Sequence, residues 1–211
     1  MWDATFWLLF FSAALALNLS PGPDLIFILS RTLASGRRVG LASACGVCSG
    51  ALVHVAAAAL GISTLLATSA LAFSLVKYVG AAYLLYLGIQ TLRSSAAGVA
   101  FDLEKVPRMG AWQAYRQGVL VDILNPKVAI FFMAFLPQFV RPEQGTVAGQ
   151  ILLLGVLVVL VAIVVESSLV LLAARTSSAL RNNPRVGRWL DRLLGSVLIG
   201  LGVRLGLAER A

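Results

Sequence analysis

The stretch Asn18-Leu19-Ser20-Pro21-Gly22-Pro23-Asp24 interrupts an apolar run that extends from about residue 4 to about residue 30, and its reading decides the fold. Two prolines remove backbone donors and clash with preceding carbonyls, and Gly22 between them adds freedom, so a regular helix cannot run through it. The run is longer than the roughly 20 residues that cross a bilayer. Inside a bilayer, irregular backbone is tolerated only where it is buried in protein or lines a water-filled cavity. The stretch therefore predicts a broken transmembrane helix whose freed N–H and C=O groups face a path. Asn125-Pro126-Lys127 repeats the device 103 residues later, laying Pro23-Asp24 on Pro126-Lys127 and Gly22 on Asn125.

Composition agrees. Of 211 residues, 59% are apolar and 12% charged, where a soluble domain carries about 25% charged residues. These figures exclude a soluble enzyme, a disordered chain and a disulfide-stapled secreted domain, and no enzymatic activity or cofactor is expected. The net charge of +8 does not point to nucleic acid, because the basic residues lie between apolar spans rather than along one soluble face. The first apolar run has no basic residue before it, unlike a secretory signal peptide, so it is expected to remain as a helix.

Apolar runs between charges give six predicted transmembrane helices, about 4–30, 39–66, 71–92, 115–137, 147–173 and 189–207. Residues 94–114 mix small and charged side chains and read as a linker between halves 1–93 and 115–208 of one transporter domain spanning 1–211. Three helices per half means that the fourth crosses in the opposite direction to the first. The expected fold is thus an all-α membrane bundle of two inverted three-helix repeats with Pro-broken first and fourth helices, a transporter signature. The third and sixth runs echo each other loosely, with Gly80 and Gly88 in one and Gly195 and Gly202 in the other.

Each break carries an ionisable side chain, Asp24 or Lys127, at a cost of roughly 2.5–3.5 kcal/mol each on insertion scales unless paired or hydrated. Two readings are open. The pair either offers both signs of charge to a zwitterionic amino acid, or forms a structural salt bridge clamping the repeats. His54 shares a stripe with Gly46, Gly50 and Gly61, so it is expected to point into the bundle, as a proton relay or bonded to a backbone carbonyl. Glu166 shares a face with Gly155, Ala162 and Ala173. It either carries a proton or, being about nine residues before Arg175, snorkels to the interface, the cheaper option. Cys45 and Cys48 are expected to share one helix face and to act as small packing residues. The small-residue stripes serve internal packing or a homo-oligomer.

NLSPGPD, together with RQGVLVDILNPKVAIFFMAFLPQFV (Arg116 to Val140) and YLLYLGIQTLR (Tyr83 to Arg93), resembles the signatures of the lysine exporter family of LysE/RhtB type, along essentially the whole chain. The resemblance implies a multi-pass protein of the bacterial cytoplasmic (inner) membrane, surrounded by lipid. It implies a secondary transporter that exports amino acids or close derivatives, and coupling to the proton gradient is inferred with it. Pro21, Gly22, Pro23, Asp24, Asn125, Pro126 and Lys127 match the family motifs directly. Asp122 stands where members often carry a neutral Asn, which leaves room for a role special to this protein. With Asn18, these residues make up the expected substrate or ion path, while His54 and Glu166 are the proton-relay candidates. Two other function classes remain open. A metal-cation exporter is disfavoured by the lack of a His/Cys/Met/Asp cluster beyond the cysteines, and a thiol–disulfide electron conduit would need Cys45 and Cys48.

Twelve basic residues fall on the side of the bilayer that carries Arg31, Arg37 and Arg38, against four on the other, Lys77, Arg141, Arg204 and Arg210. The positive-inside rule then places both termini outside the cytoplasm. A reporter active only in the cytoplasm, fused after Ala211, is expected to stay silent, and a strong signal would reverse the topology.

Overall fold

A computed structural model describes residues 3–68, 70–94 and 107–175, together with 192, 196, 199, 200, 202, 203 and 207. The chain folds into helices. α1 (Ala4–Leu19) and α2 (Pro23–Ser35) make the first broken segment, followed by α3 (Arg37–Thr68) and α4 (Ala70–Ser94). α5 (Ala111–Ile123) and α6 (Pro126–Phe135) make the second, continued by short 3-10 turns at Leu136–Phe139 and Pro142–Gln144 and by α7 (Val147–Arg175). Most of the predicted linker and most of the predicted sixth helix, 189–207, lie outside the described residues.

α3 and α7 each contain a segment long and apolar enough to cross a membrane, and each bent pair passes the same test as a unit, for up to four candidate spans among the described residues. The two breaks bend the chain by nearly the same angle, 55° between α1 and α2 and 54° between α5 and α6. Local chemistry explains where the helices restart. Pro23 and Pro126 each occupy the first turn, where proline's fixed φ suits the helix and its missing N–H costs nothing. At the second break, Asn125 Oδ1 accepts the Lys127 N–H at 3.1 Å as an N-cap.

Residues 31–38, between the first two predicted helices, are helical except at Gly36. α2 runs to Ser35, and one residue, Gly36 at φ +86°, reverses the chain into α3 at Arg37. A left-handed φ is open to glycine without steric cost, and the Gly36 N–H still bonds Thr32 O at 2.9 Å. Residues 107–110 return to the same corner, where Arg31 Nη1 donates to Pro107 O at 2.9 Å.

α3 is the central post, packed against α2, α5 and α7. Its small residues allow backbone contact with α5. A Cβ at Gly46 would collide with the Tyr115 carbonyl, and one at Gly50 would lie 2.7 Å from Asp122 Cβ and 2.8 Å from Val119 O. Across the same interface, a Cβ at Gly118 would come 2.6 Å from Ser43 O. Lipid provides no hydrophobic drive between helices, so such close van der Waals contact holds them together. Gly61 departs from the expected stripe, being exposed with open space around it. Gly202 approaches α4 closely, where a Cβ would meet Leu85 Cγ at 2.9 Å and Ala81 O at 3.0 Å.

One end of the core is aromatic. Phe6 and Phe10 of α1 meet Phe131 and Phe135 of α6 and Phe139, with Phe131 and Phe135 stacked at 4.4 Å and Phe10 and Phe139 edge to face at 5.4 Å. These rings join the first half of one broken segment to the second half of the other.

The glycine contacts make a contrast that can be measured. Gly46→Val should destabilise the detergent-solubilised protein by about 1–3 kcal/mol or more through overpacking against α5, lowering its thermal midpoint. Gly61→Val should leave the midpoint nearly unchanged, and equal effects would contradict the packing described.

Candidate functional site

The two breaks meet. Lys127 Nζ lies 2.8 Å from Asp24 Oδ2 and 3.0 Å from Oδ1, with the two side chains 3% and 6% exposed. The same ammonium donates to Ser20 O at 3.1 Å and to Leu17 O at 3.4 Å. Both carbonyls belong to the end of α1, where the helix has run out of N–H partners and its dipole is negative. Asp24 sits in the first turn of α2, where the dipole favours a carboxylate. Each charge thus meets its opposite on the partner residue and a matching helix end.

The Pro-Gly-Pro sequence is what permits this approach. Gly22 has an extended φ of −159° that any residue adopts, so its requirement is spatial. A Cβ there would come 2.6 Å from Asp24 Oδ1 and 2.7 Å from Lys127 Nζ. Pro23 and Pro126 are both exposed while the residue after each, Asp24 or Lys127, is buried. Pro21 is half-buried beside them.

Beside the pair lies a cavity of about 20 Å³ whose lining includes Asn18, Asp24, Cys48, Asp122, Phe132 and Glu166. That is space for about one water molecule and not for an amino acid. Asn18 is buried and turns its amide back onto Ala14 O at 2.7 Å. Asp122 is buried in the last turn of α5 with no hydrogen-bond partner for Oδ2, and Asn125 Nδ2 is likewise unpartnered among the described residues.

The remaining candidates divide. His54 is half-buried and its Nε2 lies 2.9 Å from the Asp122 main-chain oxygen, which takes the backbone-bonded option rather than a contact with a carboxylate. Glu166 does not snorkel. It is 3% exposed and faces the cavity, where Cys48 Sγ donates to Oε2 at 3.6 Å. The proximity of Arg175 in sequence misled here, because α7 continues as helix to Arg175 and holds Glu166 against α3. The packing role expected of the two cysteines holds for Cys48, which is buried in the cavity wall, and not for Cys45, which is exposed. Sequence reasoning passed over Phe132, whose only signal was membership of an apolar run. Among the described residues no group of three or more His, Cys, Asp or Glu side chains is arranged to hold a metal ion.

Comparison with known proteins identifies the family. The family model described as LysE type translocator matches residues 15–209. The chain is 32% identical to a homoserine/homoserine lactone efflux protein of Salmonella typhimurium, over 97% of this chain and 98% of that one. It is 33% identical to an uncharacterized membrane protein of Vibrio cholerae, covering 98% and 99% of the two chains. A Pseudomonas aeruginosa membrane protein, also uncharacterized, is 33% identical over 90% and 89%. No solved structure matches. A match that takes in both proline breaks and nearly all of the chain is decisive: this protein belongs to the LysE-type translocator family.

Proposed function

We propose that this protein is a secondary transporter of the bacterial inner membrane that exports amino acids or close derivatives from the cytoplasm, with its substrate path between the two broken segments. The observation that carries this reading is the ion pair joining the breaks, Lys127 Nζ to Asp24 at 2.8 Å, beside a cavity lined by further acidic groups. A purely structural clamp would not require the backbone to unwind on the same turns. Unwinding supplies main-chain carbonyls, such as Ser20 O and Leu17 O, that a departing ammonium can leave and rejoin. Relatives named for efflux of homoserine and homoserine lactone support a small amine of this size.

In this reading the closed conformation is one stage of alternating access. The two halves form an inverted repeat of three spans each, and the matched bends of 55° and 54° are the hinges that the repeats share. Opening separates Asp24 from Lys127 and exposes the cavity to one side at a time. The proton gradient drives the cycle, and Glu166 is the better relay of the two candidates because it faces the cavity, whereas His54 is held to a main-chain oxygen.

Removing one partner of a buried pair strands the other charge at about 3–5 kcal/mol. Asp24→Asn and Lys127→Gln should each eliminate efflux of labelled amino acids from loaded vesicles, with reduced membrane levels. The double neutral variant separates clamp from path. Membrane levels should recover because no charge is stranded, while efflux should stay absent. Near-parental efflux by the double variant would refute a transport role for the pair.

A further inference from the structure

Each broken segment carries an aspartate, and the two have opposite surroundings. Asp24 lies in the first turn of α2, where the helix dipole favours an anion, and it is paired with Lys127. Asp122 lies in the last turn of α5, where the main-chain dipole is negative and disfavours one. Its side chain is 1% exposed and lines the water-sized cavity, and Oδ2 has no hydrogen-bond partner among the described residues. The neighbouring groups do not compensate it. Lys127 of α6 is committed to Asp24 and to the carbonyls of Ser20 and Leu17. From α3, His54 bonds the main-chain oxygen of Asp122 rather than its carboxyl, and the Cys48 thiol turns to Glu166. α2 and α7 bring two more acids to the cavity, Asp24 and Glu166, and α1 brings the neutral Asn18. Among the described residues, three buried carboxyls thus share one buried ammonium. An ionised carboxylate without a counter-charge or donors is so costly to bury that the group takes up a proton instead.

We propose that Asp122 is a proton-binding site of the transport cycle, holding a proton in this conformation and exchanging it through the cavity, so that each turnover carries one proton on this residue. The inference rests on the exporter reading and deepens it by naming the group that couples protons to export. The neutral acid suits its surroundings. Its O–H is a donor, and the cavity of about 20 Å³ has room for the one water that accepts from it. Exchange breaks the Asp122 O–H bond and passes the proton to that water, with Glu166 of the same cavity as the relay. The carboxylate left behind is restored by a proton arriving from the opposite side of the membrane. Until water enters, release is opposed, because the anion would face the negative end of α5 while Lys127 stays with Asp24. Proton exchange is thereby tied to opening of the cavity.

The test places the full-length protein in proteoliposomes about one pH unit more acidic inside than outside, with the membrane potential clamped at zero. Uptake of a panel of labelled amino acids is followed to steady state. Each proton exchanged per substrate multiplies the accumulation ratio by about ten under that gradient. Asp122→Asn, which fixes the site in a neutral form, should lower the ratio by about tenfold. The ratio is a thermodynamic quantity, so a variant that is merely slower or less abundant reaches the parental value, and that result would overturn the proposal. A second measurement needs no variant to fold. Infrared spectra of the lipid-embedded parent at neutral pH, where an exposed aspartate is ionised, should show a protonated carboxyl band that shifts on carbon-13 labelling of aspartate. Absence of such a band contradicts a proton held on Asp122. A parent that equilibrates amino acids without accumulating them would overturn the proton site and leave the exporter reading intact. Movement of no panel member would overturn both.

Discussion

The rest of the site depends on a single buried ion pair between residues that lie 103 positions apart. Asp24 and Lys127 are each expensive in a membrane interior, and neither has an inexpensive local solution. The chain meets the cost by breaking two helices side by side, so that the breaks meet. One break delivers a helix N-terminus to Asp24 and the other helix's C-terminal carbonyls to Lys127, so that Coulombic attraction, hydrogen bonding and helix dipoles act together. Gly22 borders the pair so closely that any Cβ there would displace it.

Around that pair the packing is of two kinds, backbone against backbone and ring against ring. α3 and α5 touch through Gly46, Gly50 and Gly118 with backbone in contact, an arrangement that moves as one body or not at all. α1 and α6 meet through rings, with Phe10 stacked on Phe135 and both fully buried. The cavity lies between these two kinds of contact.

Much of this was legible in the sequence, for identifiable reasons. Proline chemistry located both breaks, because a missing N–H acts locally whatever the tertiary context. Glycine spacing on α3 predicted a contact face, although spacing alone did not reveal that Gly61 faces open space. Glu166 was misjudged because a long acidic side chain near a helix end usually reaches water; its depth depends on where α7 packs. The turn at Gly36 escaped a reading based on polarity, since arginine and serine serve as well in a helical end as in a loop. Most instructive is Asp122, which showed its polarity in sequence, while the absence of a partner for Oδ2 is a tertiary fact.

The central claim is that Asp24 and Lys127 are directly paired in the bilayer. Lysine occurs only three times in the chain, at 77, 105 and 127, so side-chain nitrogen labelling gives a spectrum simple enough to assign. Solid-state NMR dipolar recoupling between labelled lysine Nζ and aspartate Cγ in lipid-embedded protein measures the separation itself. A coupling from Lys127 to Asp24 corresponding to about 4 Å or less, the limit of an ion pair, is the predicted result. A separation beyond about 6 Å, where such a partner no longer stabilises the charge, would contradict it.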